Sequence, residues 1–199
     1  MKKILQKESP ILRDIASEVP LRDITSPKIQ KILGEMRSAL ASQDDGVAIA
    51  APQIGYSLRI FIVSGRIEKI VKNAKSGVGQ EENKNSNSVK SASAKDSPSQ
   101  DTIFINPIIK KISKEKKIVE EGCLSVRYLY GKVSRGNKAI VEAYDEKGEK
   151  FTRGGSGLLA QIFQHEVDHL NGILFIDKAK YVEEILPEKQ TRQYTNENK

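Results

Sequence analysis

The chain has one cysteine, two histidines and no tryptophan among its 199 residues. A lone Cys123 excludes an internal disulfide, so the core must hold the fold by itself. No apolar run approaches the roughly 20 residues that a membrane-spanning helix needs, and no membrane partner is expected. The opening Met1-Lys2-Lys3-Ile4-Leu5-Gln6-Lys7 is basic with no apolar stretch behind it, which reads as a chain without a secretory leader, at work in a reducing cytoplasm. Hydrophobic residues make up 38% of the chain, enough for a real core, and the length suits one domain. Thirty-three basic against 26 acidic residues leave a net charge of +7. That excess invites a polyanion, but the lysines are scattered, as on an ordinary solvated surface, so no stable nucleic-acid partner is expected.

Residues 72–101 contain no Leu, Ile, Met or aromatic residue. Such a segment cannot bury enough surface to offset the entropy of ordering it. It reads as a flexible insertion between two strand-like runs, Arg59-Ile60-Phe61-Ile62-Val63 and Ile103-Phe104-Ile105, inside one domain over 1–199 with a frayed polar tail at 188–199. A first helix is predicted after Ser26, a capping residue, and Pro27, with Ile29, Ile32, Leu33, Met36 and Leu40 at helical spacing. It ends before Asp44-Asp45-Gly46. A second is predicted from near Ser156 to Leu170, with Asn171-Gly172 as its stop. Strands outnumber helices and are segregated from them, which points to an α+β fold.

The second helix carries His165-Glu166-Val167-Asp168-His169. Positions i and i+4 share a helix face, so both imidazoles can reach one metal ion, and Glu166 can reach a water on it without being a ligand. The bland alternative is a core helix with incidental histidines. Leu158, Ile162, His165, Glu166 and His169 share that face, however, so the alternative buries two imidazoles and a carboxylate without compensation. A third ligand is required. Cys123, in Glu121-Gly122-Cys123-Leu124-Ser125, is one candidate, although a single cysteine is more often a small apolar residue. Glu183 or Glu184 is the other, as in zinc endopeptidases with two histidines and a glutamate. Spacing alone leaves the choice open. A third segment, Gly46 to Gly55, has small residues that let backbone approach a ligand, and Gln53 offers an amide.

Taken together and in order, GVAIAAPQ (46–53), EGCLS (121–125) and QHEVDHLNG (164–172) resemble the peptide deformylase family, whose pattern is GxGxAAPQ, EGCLS and QHExDHLxG. Ile11-Leu12-Arg13, Ile105-Asn106-Pro107 and Val133-Ser134-Arg135 are similar to the family as well. The resemblance implies small antiparallel sheets around a central metal-binding helix carrying HExxH. It implies removal of the formyl group from N-formylmethionine on nascent polypeptides in a bacterial cytoplasm, with release of formate. Cys123, His165 and His169 become the ligands of one divalent ion, Fe(II) by preference with zinc or nickel as substitutes. Glu166 becomes the proton shuttle, and the Gln53 amide and Leu124 N–H become the oxyanion donors. Gly46, Val47, Ala48 and Gly122 become the backbone that the peptide pairs with, and Val47, Val119, Leu158 and Ile162 the methionine pocket.

Asp168 and Arg135 are candidates to orient other groups. Transient ribosome association follows as an expectation from the substrate and the basic charge. Three departures stand out: Ala48 for the second family glycine, Arg127 where Pro is common, followed by Tyr128-Leu129-Tyr130, and the long 72–101 segment. The competing expectations are a silent ribosome-binding homologue, which Ala48 and Arg127 would mark, and the endopeptidase using Glu183 or Glu184.

Overall fold

A computed structural model describes residues 2–67 and 100–186. Apart from Gln100 and Asp101, the 72–101 segment lies outside the described residues, as does the 188–199 tail. Helix α1 spans Pro27–Ala41, as its spacing predicts. The Ser26 hydroxyl accepts from the Ile29 amide, Pro27 occupies the first turn, and Ile29, Ile32, Leu33, Met36, Ala39 and Leu40 form the buried stripe.

Among the described residues eight strands follow: β1 Ala48–Ala50, β2 Ile60–Val63, β3 Thr102–Ile112, β4 Lys116–Gly122, β5 Leu129–Gly136, β6 Lys138–Tyr144, β7 Lys150–Ser156 and β8 Val182–Glu184. All named pairs are antiparallel, in a five-stranded sheet ordered β1-β2-β3-β6-β7 and a three-stranded sheet ordered β4-β5-β8. The two strand-like runs that flank the insertion thus become neighbours, with Phe61 opposite Phe104. β3 is interrupted at Asn106-Pro107, where the register with β6 shifts. Asn106 has a positive φ of 51°, and its side-chain amide accepts from the Val19 N–H and donates to the Val19 carbonyl, which ties the bulge to the N-terminal segment.

Helix α2 spans Leu158–Leu170. It begins two residues later than its sequence implies. Ser156 is taken by the β6–β7 ladder, opposite Lys138, and Gly157 turns the chain with φ 56°. Its C-terminal stop is as expected: Gly172 has φ 71°, and a Cβ there would lie 2.4 Å from the Arg13 carbonyl oxygen. α2 lies on the five-stranded sheet, with Phe163 edge-on to Phe104, and Phe104 stacked on Phe61 at 4.4 Å. On the other side, the Gln164 amide both accepts from and donates to the Gly136 backbone, pinning the end of β5 to the helix. α2 is therefore held between the two sheets, and its histidine-bearing face meets the segment that follows β4.

Candidate active site

The first three residues come together from two elements. Cys123 leaves the end of β4, while His165 and His169 project one turn apart from α2. Their donor atoms lie within 4.8 Å of one another, with Cys123 Sγ 3.1 Å from His169 Nε2. His165 Nδ1 faces Glu121 Oε2 at 3.0 Å, which leaves Nε2 as the donor atom turned to the group. One thiol and two imidazoles at this separation are a donor set that a single tetrahedral ion can bridge, and soft sulfur with imidazole suits zinc or iron. Glu183 and Glu184 are exposed in β8, paired with Tyr130 and Leu129, and are not in the cluster.

Behind His165 runs a buried chain of charges. Arg135 grips Glu121 through Nε and Nη2 at 2.7 and 2.9 Å, and reaches Asp168 through Nη1 at 2.6 Å. Asp168 in turn accepts from Lys178. Burial opposes charge on Glu121, but its bonds to Arg135 and His165 prevail and hold the carboxyl down at about 2. Burial also opposes charge on His165, yet Cys123 and Glu121 outweigh it and the imidazole titrates well above its ordinary value. Burial, reinforced by His165, pushes His169 well below that value, so it presents a neutral ring.

Glu166 is buried, and desolvation pushes its carboxyl up to about 7. Its Oε2 has no partner among the described residues, an uncommon state for a buried carboxylate. The His169 Nδ1 is likewise unpartnered. Gln53 is fixed by accepting from the Ala50 amide, and its Nε2 donates to Ser125 Oγ at 3.0 Å and points to Cys123 Sγ at 3.5 Å. The Leu124 N–H donates to no acceptor among the described residues.

These groups open into a cavity of about 310 Å³. Gly46, Val47, Ala48, Gly122, Leu158 and Ile162 line it with Gln53, Cys123, Leu124, His165 and Glu166. Val119 does not: it sits opposite Val133 in the β4–β5 ladder, outside the lining. Ala48 is only 7% exposed and belongs to the buried cluster that includes Phe61, Val63 and Ile162, so its extra methyl is accommodated by packing. β1 and β4 are both edge strands, and the cavity lies between them. Two edges facing one cleft, with no further strand on them among the described residues, are what an extended peptide needs in order to add by backbone hydrogen bonds.

Sequence reasoning missed the role of Glu121, which it quoted only as part of EGCLS. The available signal was an acidic residue two positions from the cysteine, with Arg135 on the next strand. It also left Arg127 and Asp45 unconnected, although both line the cavity mouth and pair with each other.

The chain also matches known proteins over most of its length. A family model described as Polypeptide deformylase matches residues 1–184. The chain is 36% identical over 177 residues to peptide deformylase 2 of Clostridium acetobutylicum, covering 89% of this chain and 94% of that protein. It is 37% identical over 180 residues to the peptide deformylase of Carboxydothermus hydrogenoformans, covering 89% and 92%. Among solved structures, the Thermotoga maritima peptide deformylase superposes with a TM-score of 0.68 at 29% identity, over 91% of this chain and 99% of that one. The actinonin-bound class I type b enzyme of Acinetobacter baumannii gives 0.69 at 29%, over 89% and 97%. With its fold and nearly its whole described length matched in this way, the chain belongs to the peptide deformylase family.

Proposed function

We propose that this protein hydrolyses the formamide of N-formylmethionyl peptides, using one divalent cation held by Cys123 Sγ, His165 Nε2 and His169 Nε2 on the HExxH helix. The observation that carries this reading is the buried Oε2 of Glu166, without a partner among the described residues, beside those three donors and in a cavity flanked by the edge strands β1 and β4. When bound, such an ion lowers the pKa of water toward neutrality and polarises the formyl carbonyl.

The rest of the chemistry belongs to the chain. Glu166, poised near neutrality, accepts the proton of the attacking water and returns it to the leaving amine, and a carboxylate so tuned suits both steps. The Leu124 N–H, which has no acceptor among the described residues, is free to donate to the developing oxyanion. One Gln53 N–H is committed to Ser125, and the other, in long contact with Cys123, is the one that turns to the oxyanion. The peptide backbone pairs along Gly46, Val47 and Ala48 on one side and Gly122 on the other. Val47, Leu158 and Ile162 receive the methionine side chain. Products are formate and a free methionyl amine.

Fe(II) is the metal proposed in the cell, with zinc or nickel as substitutes, since thiolate and imidazole accept all three. The same reading takes 1–199 as one domain with an insertion at 72–101, in a bacterial cytoplasm, in transient contact with ribosomes. The net charge of +7 supports that contact, and no helix among the described residues is long and apolar enough to cross a membrane. The test is formate release from formyl-Met-Ala peptides by protein purified anaerobically and loaded with Fe(II), zinc or nickel. Formate release without cleavage of the Met–Ala bond is expected. Cleavage inside the chain would favour the endopeptidase, and inert, metal-free protein the silent homologue.

A further inference from the structure

The mouth of the cavity is crossed by an ion pair between residues 82 positions apart. Arg127, four residues beyond Cys123, reaches the loop that leads into β1 and grips Asp45 with both nitrogens, Nη1–Oδ2 at 2.5 Å and Nη2–Oδ1 at 3.0 Å. The same Nη2 donates to Gln43 Oε1 at 3.0 Å, and the Arg127 backbone amide donates to Gln6 Oε1. Two parallel N–H···O bonds hold a guanidinium in one orientation more firmly than a single contact does. Asp45 immediately precedes Gly46, in the loop that enters β1 at Ala48, so the pair ties the two walls together at the lip. Tyr128 and Tyr130 continue the lining there, with Tyr130 laid over Gly122: a Cβ at Gly122 would come within 2.7 Å of that ring. Glu120 adds one carboxylate on the β4 lip.

A peptide whose formyl end lies at the buried cluster leaves the cavity past this lip. Resting on the deformylase reading above, we propose that the Arg127–Asp45 pair determines specificity for the residues that follow methionine. Each charge of the pair cancels the other, so the lip offers the following side chains aromatic surface and the carboxylate of Glu120. Removing either partner exposes the remaining charge at the place where those side chains pass. Asp45→Asn frees a cation and turns preference toward acidic residues. Arg127→Gln frees an anion, reinforced by Glu120, and turns it toward basic ones.

The test measures kcat/KM of metal-loaded protein for formyl-Met-Ala-Ala, formyl-Met-Glu-Glu and formyl-Met-Lys-Lys. Relative to wild type, the Glu-Glu to Lys-Lys ratio should rise about five- to tenfold in Asp45→Asn and fall by a similar factor in Arg127→Gln, the scale of one partly exposed charge acting on an oppositely or like-charged neighbour. The double variant should return the ratio to within about threefold of wild type, and 0.5 M salt should shrink both shifts. A ratio unchanged in both single variants, with all three peptides affected alike, would show the pair to be a structural tie and overturn the proposal. Anisotropy of dye-labelled formyl peptides on Glu166→Gln, alone and combined with each lip variant, reads the same preference without turnover. Failure of wild type to release formate from any peptide therefore counts against the deformylase reading, while an unchanged charge ratio in binding counts against the lip.

Discussion

Glu121 Oε2 lies 3.0 Å from His165 Nδ1, and the same carboxylate is gripped by Arg135 through two bonds. An ionised acid in this position sets the tautomer and the orientation of a ligating imidazole and raises its basicity. Glu121→Gln should therefore weaken metal retention by about 10–100-fold while leaving the fold in place. Competition with a chelator, read by metal content, checks this. Retention equal to wild type would remove Glu121 from the support of the site.

Cys123→Ala should lose metal and activity together, because it deletes one of three protein donors. Glu183→Ala and Glu184→Ala should lose neither, since both residues are exposed in β8 and stand apart from the donor cluster. Metal analysis beside formate release separates the cases. Metal retained by Cys123→Ala, and lost by either glutamate variant, would reverse the ligand assignment.

Acid should loosen the contact that Asp177 makes with Arg13. Asp177 accepts from the Leu174 amide and pairs with Arg13. Burial would raise its carboxyl, but Arg13 and the Leu174 N–H prevail and hold it below the usual value of 3.8. A depressed folded-state pKa contributes stability that is present above the unfolded value and is lost as pH falls through the folded one. Both side chains are about 40% exposed, so solvent screens the pair. Asp177→Asn should cost less than about 1 kcal/mol at pH 7, and the gap to wild type should close toward pH 3. Urea melts at the two pH values test this, and a gap that widens in acid would contradict it.

Much of this was legible because the informative residues are close in sequence. The stripe Ile29–Leu40 and the Ser26 cap define α1 locally, and two histidines four apart declare a shared helix face. The start of α2 was not legible, because Ser156 is drawn into a ladder with Lys138, a pairing that local propensity does not contain. Cys123 and the rival glutamates could not be separated by spacing, since the thiol lies on one side of α2 in sequence and the glutamates on the other, and only the chain path after β4 brings the thiol to the imidazoles. The neighbour that Val119 meets was not legible either, because the β4–β5 register alone puts it opposite Val133. The grip of Arg135 on Glu121 depends on that register too, and the Arg127–Asp45 contact spans 82 residues.

Glu166, beside a metal held by Cys123, His165 and His169, is expected to drive removal of the formyl group. This is tested most directly by measuring formate release from formyl-Met-Ala-Ser by wild type and Glu166→Gln, both loaded anaerobically with the same metal and matched for metal content. Wild type should give one formate per free methionyl amine with the Met–Ala bond intact, and Glu166→Gln a kcat lower by about 10²–10⁴-fold at equal metal occupancy. Near-normal turnover by the variant, or a wild type that cleaves within the peptide and leaves the formyl group in place, would contradict it.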